Sequence, residues 1–162
     1  RVNAEESSRN PVITAERAPR EGVTGELRLT SASIVDEAGA PLNHAETSAT
    51  FRIRVGLHAT ERLLGPNVRI ALQHDPGPLV AMVSNHAVGA DFGFLQGDYT
   101  VDAAILDNPL LPGRYRVHID VFDYTGSRLV DSWNDAVEFA VRSPRGEIGQ
   151  GLVEFRPDIS FD

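Results

Sequence analysis

Residues 110–141 read LLPGRYRVHIDVFDYTGSRLVDSWNDAVEFAV, and their reading decides the fold. Pro112-Gly113 is turn chemistry, and the residues after it alternate strictly: Tyr115, Val117, Ile119 and Val121 on one side, Arg114, Arg116, His118 and Asp120 on the other. Period-2 alternation of this length is a half-buried β-strand. Thr125-Gly126 then marks a tight hairpin turn. The returning strand is read as entered through Trp133-Asn134-Asp135-Ala136, with Val137, Phe139 and Val141 facing inward.

The same grammar extends outward from this hairpin. In residues 51–58, Phe51, Ile53, Val55 and Leu57 share a face, against Arg52, Arg54 and His58. In 67–74, Val68, Ile70 and Leu72 oppose Arg69, Ala71 and Gln73, and Tyr99, Val101, Ala103 and Ile105 alternate with Thr100, Asp102 and Ala104. Asp36-Glu37-Ala38-Gly39 reads as a hairpin turn, and Asp75-Pro76-Gly77-Pro78 and Asn108-Pro109 to Pro112-Gly113 as longer loops. No window carries a helical stripe. About seven or eight short strands, each with one polar face, predict an all-β fold: an antiparallel two-sheet β-sandwich of immunoglobulin-like or jelly-roll type.

Composition fits one domain of 162 residues without staples, since there is no Cys. A formal charge of −8 argues against nucleic acid as a partner. All 15 basic residues are Arg, which codon bias in a GC-rich genome accounts for. No apolar run approaches the ~20 residues of a membrane-spanning helix, and no signal peptide is visible. Residues 1–23 lack periodic hydrophobicity and are interrupted by Pro11 and Pro19, so they read as a linker or mobile tail; the Val12-Ile13 pair is apolar enough to dock on a sheet edge. Residues 24–162 hold the sandwich, and the chain, which begins at Arg1, is expected to be a fragment of a longer protein.

Catalytic and metal signatures are not found. Neither Gly-x-Ser-x-Gly, His-Glu-x-x-His nor a Gly-rich phosphate loop occurs. Asp120 and Asp123 lie three apart on one strand, so alternation puts them on opposite faces, which defeats a glycosidase pair. Asp91 and Asp98 around Gly89, Gly93 and Gly97 carry only a weak Ca²⁺ signal, of a kind common in ordinary turn loops, and no metal site is assigned. Tyr115 reads as core; Trp133 reads as core or rim packing, with stacking on a sugar ring as the alternative; Tyr124 is ambiguous.

A binding surface is better supported. With 67–74, 113–124 and 136–142 as the C, F and G equivalents of an immunoglobulin sheet, its outward face presents Arg69, Gln73, Arg116, His118, Asp120 and Glu138. Guanidinium, amide, imidazole and carboxylate groups are the set that pairs with vicinal sugar hydroxyls, although a solvated face without function has the same composition.

The 110–141 pattern, together with Thr24-Gly25-Glu26-Leu27-Arg28-Leu29, resembles the C-terminal domain of Wzt-type ATPase subunits of ABC exporters that move O-antigen polysaccharide. The resemblance spans roughly residues 24–157 and implies a β-sandwich that recognises glycan, on the concave surface of one sheet, and hydrolyses nothing. It further implies an upstream ATPase domain holding ATP and Mg²⁺, no cofactor in the present domain, and a transmembrane permease subunit reached through that upstream domain. Undecaprenyl-linked O-antigen would be the ligand, at the cytoplasmic face of the inner membrane. The apolar segment at 150–157, on its Gly-containing tether, would be a further strand, exchanged in a homodimer; its Glu154-Phe155-Arg156-Pro157 ending departs from relatives, which commonly carry another aromatic. Two alternatives remain open: a secreted immunoglobulin-like structural or adhesion module, and an accessory carbohydrate-binding module of a glycoside hydrolase.

Overall fold

The computed structural model describes residues 13–16 and 25–144. Most of the 1–23 segment, and residues 150–157 where a further strand is expected, lie outside these. The described chain forms nine strands and no helix: β1 (Thr14–Glu16), β2 (Leu27–Val35), β3 (Ala45–Glu46), β4 (Phe51–Leu64), β5 (Asn67–His74), β6 (Leu79–Ser84), β7 (Phe94–Ile105), β8 (Gly113–Phe122) and β9 (Leu129–Arg142). They make two sheets, in the orders β1-β2-β4-β7 and β3-β9-β8-β5-β6. Every pairing is antiparallel except the two-residue β3–β9 contact, which is parallel. In this order β5, β8 and β9 occupy the C, F and G places of an immunoglobulin sheet.

The alternation read in the sequence is the alternation of burial. Ile53 and Val55 of β4 and Val117, Ile119 and Val121 of β8 are fully buried between the sheets, as are Ile34 of β2 and Phe51. Tyr115 anchors one end. Its ring stacks on Phe139 at 5.7 Å between centroids, and Phe139 meets Phe51 at the same separation. The Tyr115 hydroxyl donates to the Leu111 carbonyl at 2.7 Å, tying the incoming loop to the strand it feeds. Burial pushes the phenol pKa up. Asn108, wholly buried in that loop, donates to the Glu46 carbonyl (2.8 Å) and accepts from the Leu110 N–H (3.1 Å), satisfying backbone groups that would otherwise be orphaned.

Three elements depart from the sequence reading. β6 is a strand of its own; its run Leu-Val-Ala-Met-Val-Ser does not alternate, because it is the edge of the five-stranded sheet and exposes both Leu79 and Met82. Thr14–Glu16, inside the 1–23 segment, pairs with Ser31–Ser33, and Ile13 donates to the Leu42 carbonyl at 2.8 Å. Most consequential, the last strand begins at Leu129, not at residue 136, and Trp133-Asn134-Asp135-Ala136 lies within it. Val117 pairs with Val137 and Ile119 with Trp133, so residues 134–136 all stand opposite His118. This is a β-bulge, and Asp135 sits in it at φ 51°. The two extra residues preserve parity, so Trp133 still packs against the core.

Candidate functional site

Because β5, β8 and β9 are neighbours in register, their outward side chains fall into rows. Gln73, Arg116 and Glu138 form one row; Met82, Ala71 and His118 the next; Ser84, Arg69, Asp120 and Ser132 the third. All six residues singled out in the sequence therefore share the outer face of the five-stranded sheet.

The first two rows are wired together. Nδ1 of His118 accepts the Asp135 N–H at 3.0 Å. With Nδ1 accepting, the ring proton sits on Nε2, and Nε2–H donates to Gln73 Oε1 at 2.8 Å. Gln73 Nε2 in turn donates to the Gly77 carbonyl at 2.8 Å. Arg116 donates to the Asp75 carboxylate and lies 3.6 Å from both Asp135 and Glu138, while Arg114 reaches Glu138 at 3.2 Å. The hydrogen bond from Arg116 holds the Asp75 carboxyl below its usual pKa.

The third row is engaged differently. The Arg69 guanidinium lies 4.5 Å over the Phe122 ring, and Asp120 accepts from Ser132 Oγ at 2.7 Å. Arg69 and Asp120 are thus neighbours of the His118 network but not members of it. Ala71, between Met82 and His118, leaves a low floor beside an exposed thioether. Arg69, Arg114 and Arg116 stand among Asp75, Asp120, Asp135 and Glu138, so the face is close to neutral in charge while dense in donors and acceptors. Such a surface suits an uncharged polyhydroxylated ligand better than a polyanion.

The sequence reading of the binding face left out Asp75, considered only as a loop residue beside His74, and Asp135. Asp75 carries a turn signature that hid its role, and no composition signal marks the bulge. The two aspartates weighed for Ca²⁺ have separate duties: Asp91 caps the Gly93 N–H at 2.8 Å, and Asp98, in β7, meets His58 Nδ1 at 2.7 Å. Among the described residues no group of three or more His, Cys, Asp or Glu is arranged to hold a metal. Nor is any helix among them long and apolar enough to cross a membrane.

Fold and face together define an immunoglobulin-like β-sandwich with a polar sheet surface. The chain belongs to the Wzt C-terminal domain family, which matches residues 19–155; these are Wzt-type, non-catalytic domains of ABC exporters. A crystal structure of the C-terminal domain of Wzt superposes with a TM-score of 0.74 at 10% identity, covering 88% of this chain and 90% of that one. Weaker, partial matches include the Pseudomonas fluorescens alkylpurine DNA glycosylase AlkC bound to DNA (TM-score 0.48, 13% identity, 73% of this chain and 31% of that) and a Listeria innocua β-glucosidase in complex with glucose (0.41, 16%, 73% and 16%). No curated protein matches the chain.

Proposed function

We propose that this domain is a non-catalytic glycan-binding module that captures lipid-linked O-antigen polysaccharide for export. The observation that carries the reading is the outer face of β5, β8 and β9, where Gln73, Arg116, His118 and Glu138 are held in fixed geometry by Asp75, Asp135 and the Gly77 carbonyl. Preorganised polar groups lose little entropy on binding, which matters for a ligand that offers only hydroxyls. The near-neutral charge and the low Ala71 floor beside Met82 fit a sugar ring with one apolar face. In this reading the domain works at the cytoplasmic face of the inner membrane, paired as a homodimer, and is joined through an upstream ATPase domain that handles ATP and Mg²⁺ to a transmembrane permease. Titration calorimetry with purified O-polysaccharide tests it: saturable binding without release of reducing sugar is expected. An absence of binding at millimolar glycan, or turnover of polymer or ATP by the purified chain, overturns it.

A further inference from the structure

Away from the sheet face, one end of the sandwich carries a cleft. The loop between β6 and β7 and the turn between β8 and β9 face each other there. Between them opens a space of about 310 Å³ lined by His86, Gly89, Ala90, Asp91 and Tyr124. That is the low end of the range for small-molecule clefts, enough for one compact ligand.

Both walls are rigidly built. Asn85, nearly fully buried, accepts the Val68 N–H at 2.7 Å and donates to the carbonyls of Pro66 (3.0 Å) and Ala90 (3.1 Å), which pins the β6–β7 loop to the start of β5. Opposite it, Asp123 accepts from Thr125 Oγ1 (2.7 Å) and from the N–H groups of Ser127 (3.1 Å) and Arg128 (3.3 Å), locking the turn that presents Tyr124. The same bonds, that of Thr125 first, hold the Asp123 carboxyl below its usual pKa.

The contents of the cleft are specific in chemistry. Tyr124 is 45% exposed, and its ring and that of His86 lie 5.7 Å apart in a T-shaped arrangement that orients the phenol. Asp91 commits one carboxylate oxygen to the Gly93 N–H and is otherwise exposed. At Gly89 (φ 73°) nothing lies within 4 Å of where a Cβ would stand, so the floor is open. A flat aromatic plate beside a carboxylate and an imidazole is the arrangement that receives a ring with an apolar C–H face and a hydroxyl rim.

We infer that the Tyr124–His86–Asp91 cleft is a second sugar site, taking a single pyranose ring of the glycan by stacking on Tyr124 and hydrogen bonds to Asp91 and His86. The inference rests on the reading of the domain as glycan-binding but concerns a site separate from the sheet face. Tyr124 lies six residues along the chain from His118, about 20 Å at the rise of a strand, with Arg69 and Phe122 between them. A polymer touching both places gains from their linkage, whereas a monosaccharide occupies each independently.

Amide NMR separates the two sites. Free mannose, galactose, rhamnose and N-acetylglucosamine at millimolar concentrations, and purified O-polysaccharide, are added to labelled protein. Saturable shifts of the Gly89, Ala90, Asp91 and Tyr124 amides are expected with at least one sugar. Tyr124→Ala should weaken that response about tenfold or more and Asp91→Asn several-fold, with the amide pattern of the core unchanged. Shifts at Ala71, His118 and Asp135 while the cleft amides stay still overturn the cleft and leave the sheet face standing. Shifts in the cleft alone keep this inference and remove the face. Silence at both places, for monosaccharides and polymer alike, overturns both.

Discussion

The Asp135 backbone N–H donates to Nδ1 of His118 across the β8–β9 pair at 3.0 Å, from a residue that only the bulge brings into range. One bond therefore sets the ring's tautomer, aims Nε2–H at Gln73 and fixes the loop end of the candidate face.

A nitrogen–proton correlation spectrum of the imidazole should accordingly show a ring proton on Nε2 and an accepting Nδ1. In His118→Ala the Asp135 amide should exchange with solvent faster than in the native protein. Global stability should change by no more than about 1 kcal/mol, because Asp135 is exposed and water replaces the lost acceptor. A ring carrying its proton on Nδ1 would break the proposed chain of bonds.

Tyr115 couples the 106–112 loop to the core through its hydroxyl. Tyr115→Phe keeps the ring stack on Phe139 but leaves the buried Leu111 carbonyl without its donor, a loss of about 1–3 kcal/mol. Tyr115→Ala also opens a cavity, and by analogy with Phe should cost about 3–5 kcal/mol. Denaturant titration reads both, with equal slopes expected for native protein and Tyr115→Phe. If the Phe variant proves as stable as the native protein, the hydroxyl bond is of no consequence.

How far these relationships are legible in the sequence depends on whether local chemistry records them. Alternation in 67–74 and 115–121 assigns core and surface correctly, because one face of each strand is buried and the period leaves no choice. It also puts five of the six candidate residues on the polar side of their strands, and the alternation of Val137, Phe139 and Val141 does the same for Glu138. Alternation fails at β6, where an edge strand exposes Leu79 and Met82, and at Asn134–Ala136, where a bulge of two extra residues preserves parity and so leaves no trace in the pattern. Asp75 is recruited by Arg116 across 41 residues, a pairing that only the β5–β8 register creates.

That pairing makes a pH prediction. Asp75 titrates below its ordinary 3.8 in the folded protein, chiefly through the hydrogen bond from Arg116, and Asp102 does the same through Arg54. A carboxyl with a depressed folded pKa contributes stability that is complete above its unfolded pKa. The contribution is lost as pH falls through the lower folded value. Melting temperature should therefore drop below about pH 4, and Arg116→Met should remove the Asp75 share of that drop while leaving the Asp102 share. A carboxyl-carbon titration that finds Asp75 at or above its ordinary value in the native protein would refute the assignment.

The sheet face itself is tested by removing Gln73, His118 and Asp120 together, each to Ala. None belongs to the buried core, and their partners are one another, Ser132 and exposed backbone, so the melting curve should stay close to native. Binding should not. Each lost hydrogen bond is worth about 0.5–1.5 kcal/mol, rising to about 3 where a charged group such as Asp120 takes part. Because Gln73 and His118 share a bond, their losses should fall short of additive. Titration of O-polysaccharide into the triple variant is expected to give no measurable heat. Native affinity in a variant that still melts like the native protein would exclude this face as the glycan site, whatever the cleft at Tyr124 does.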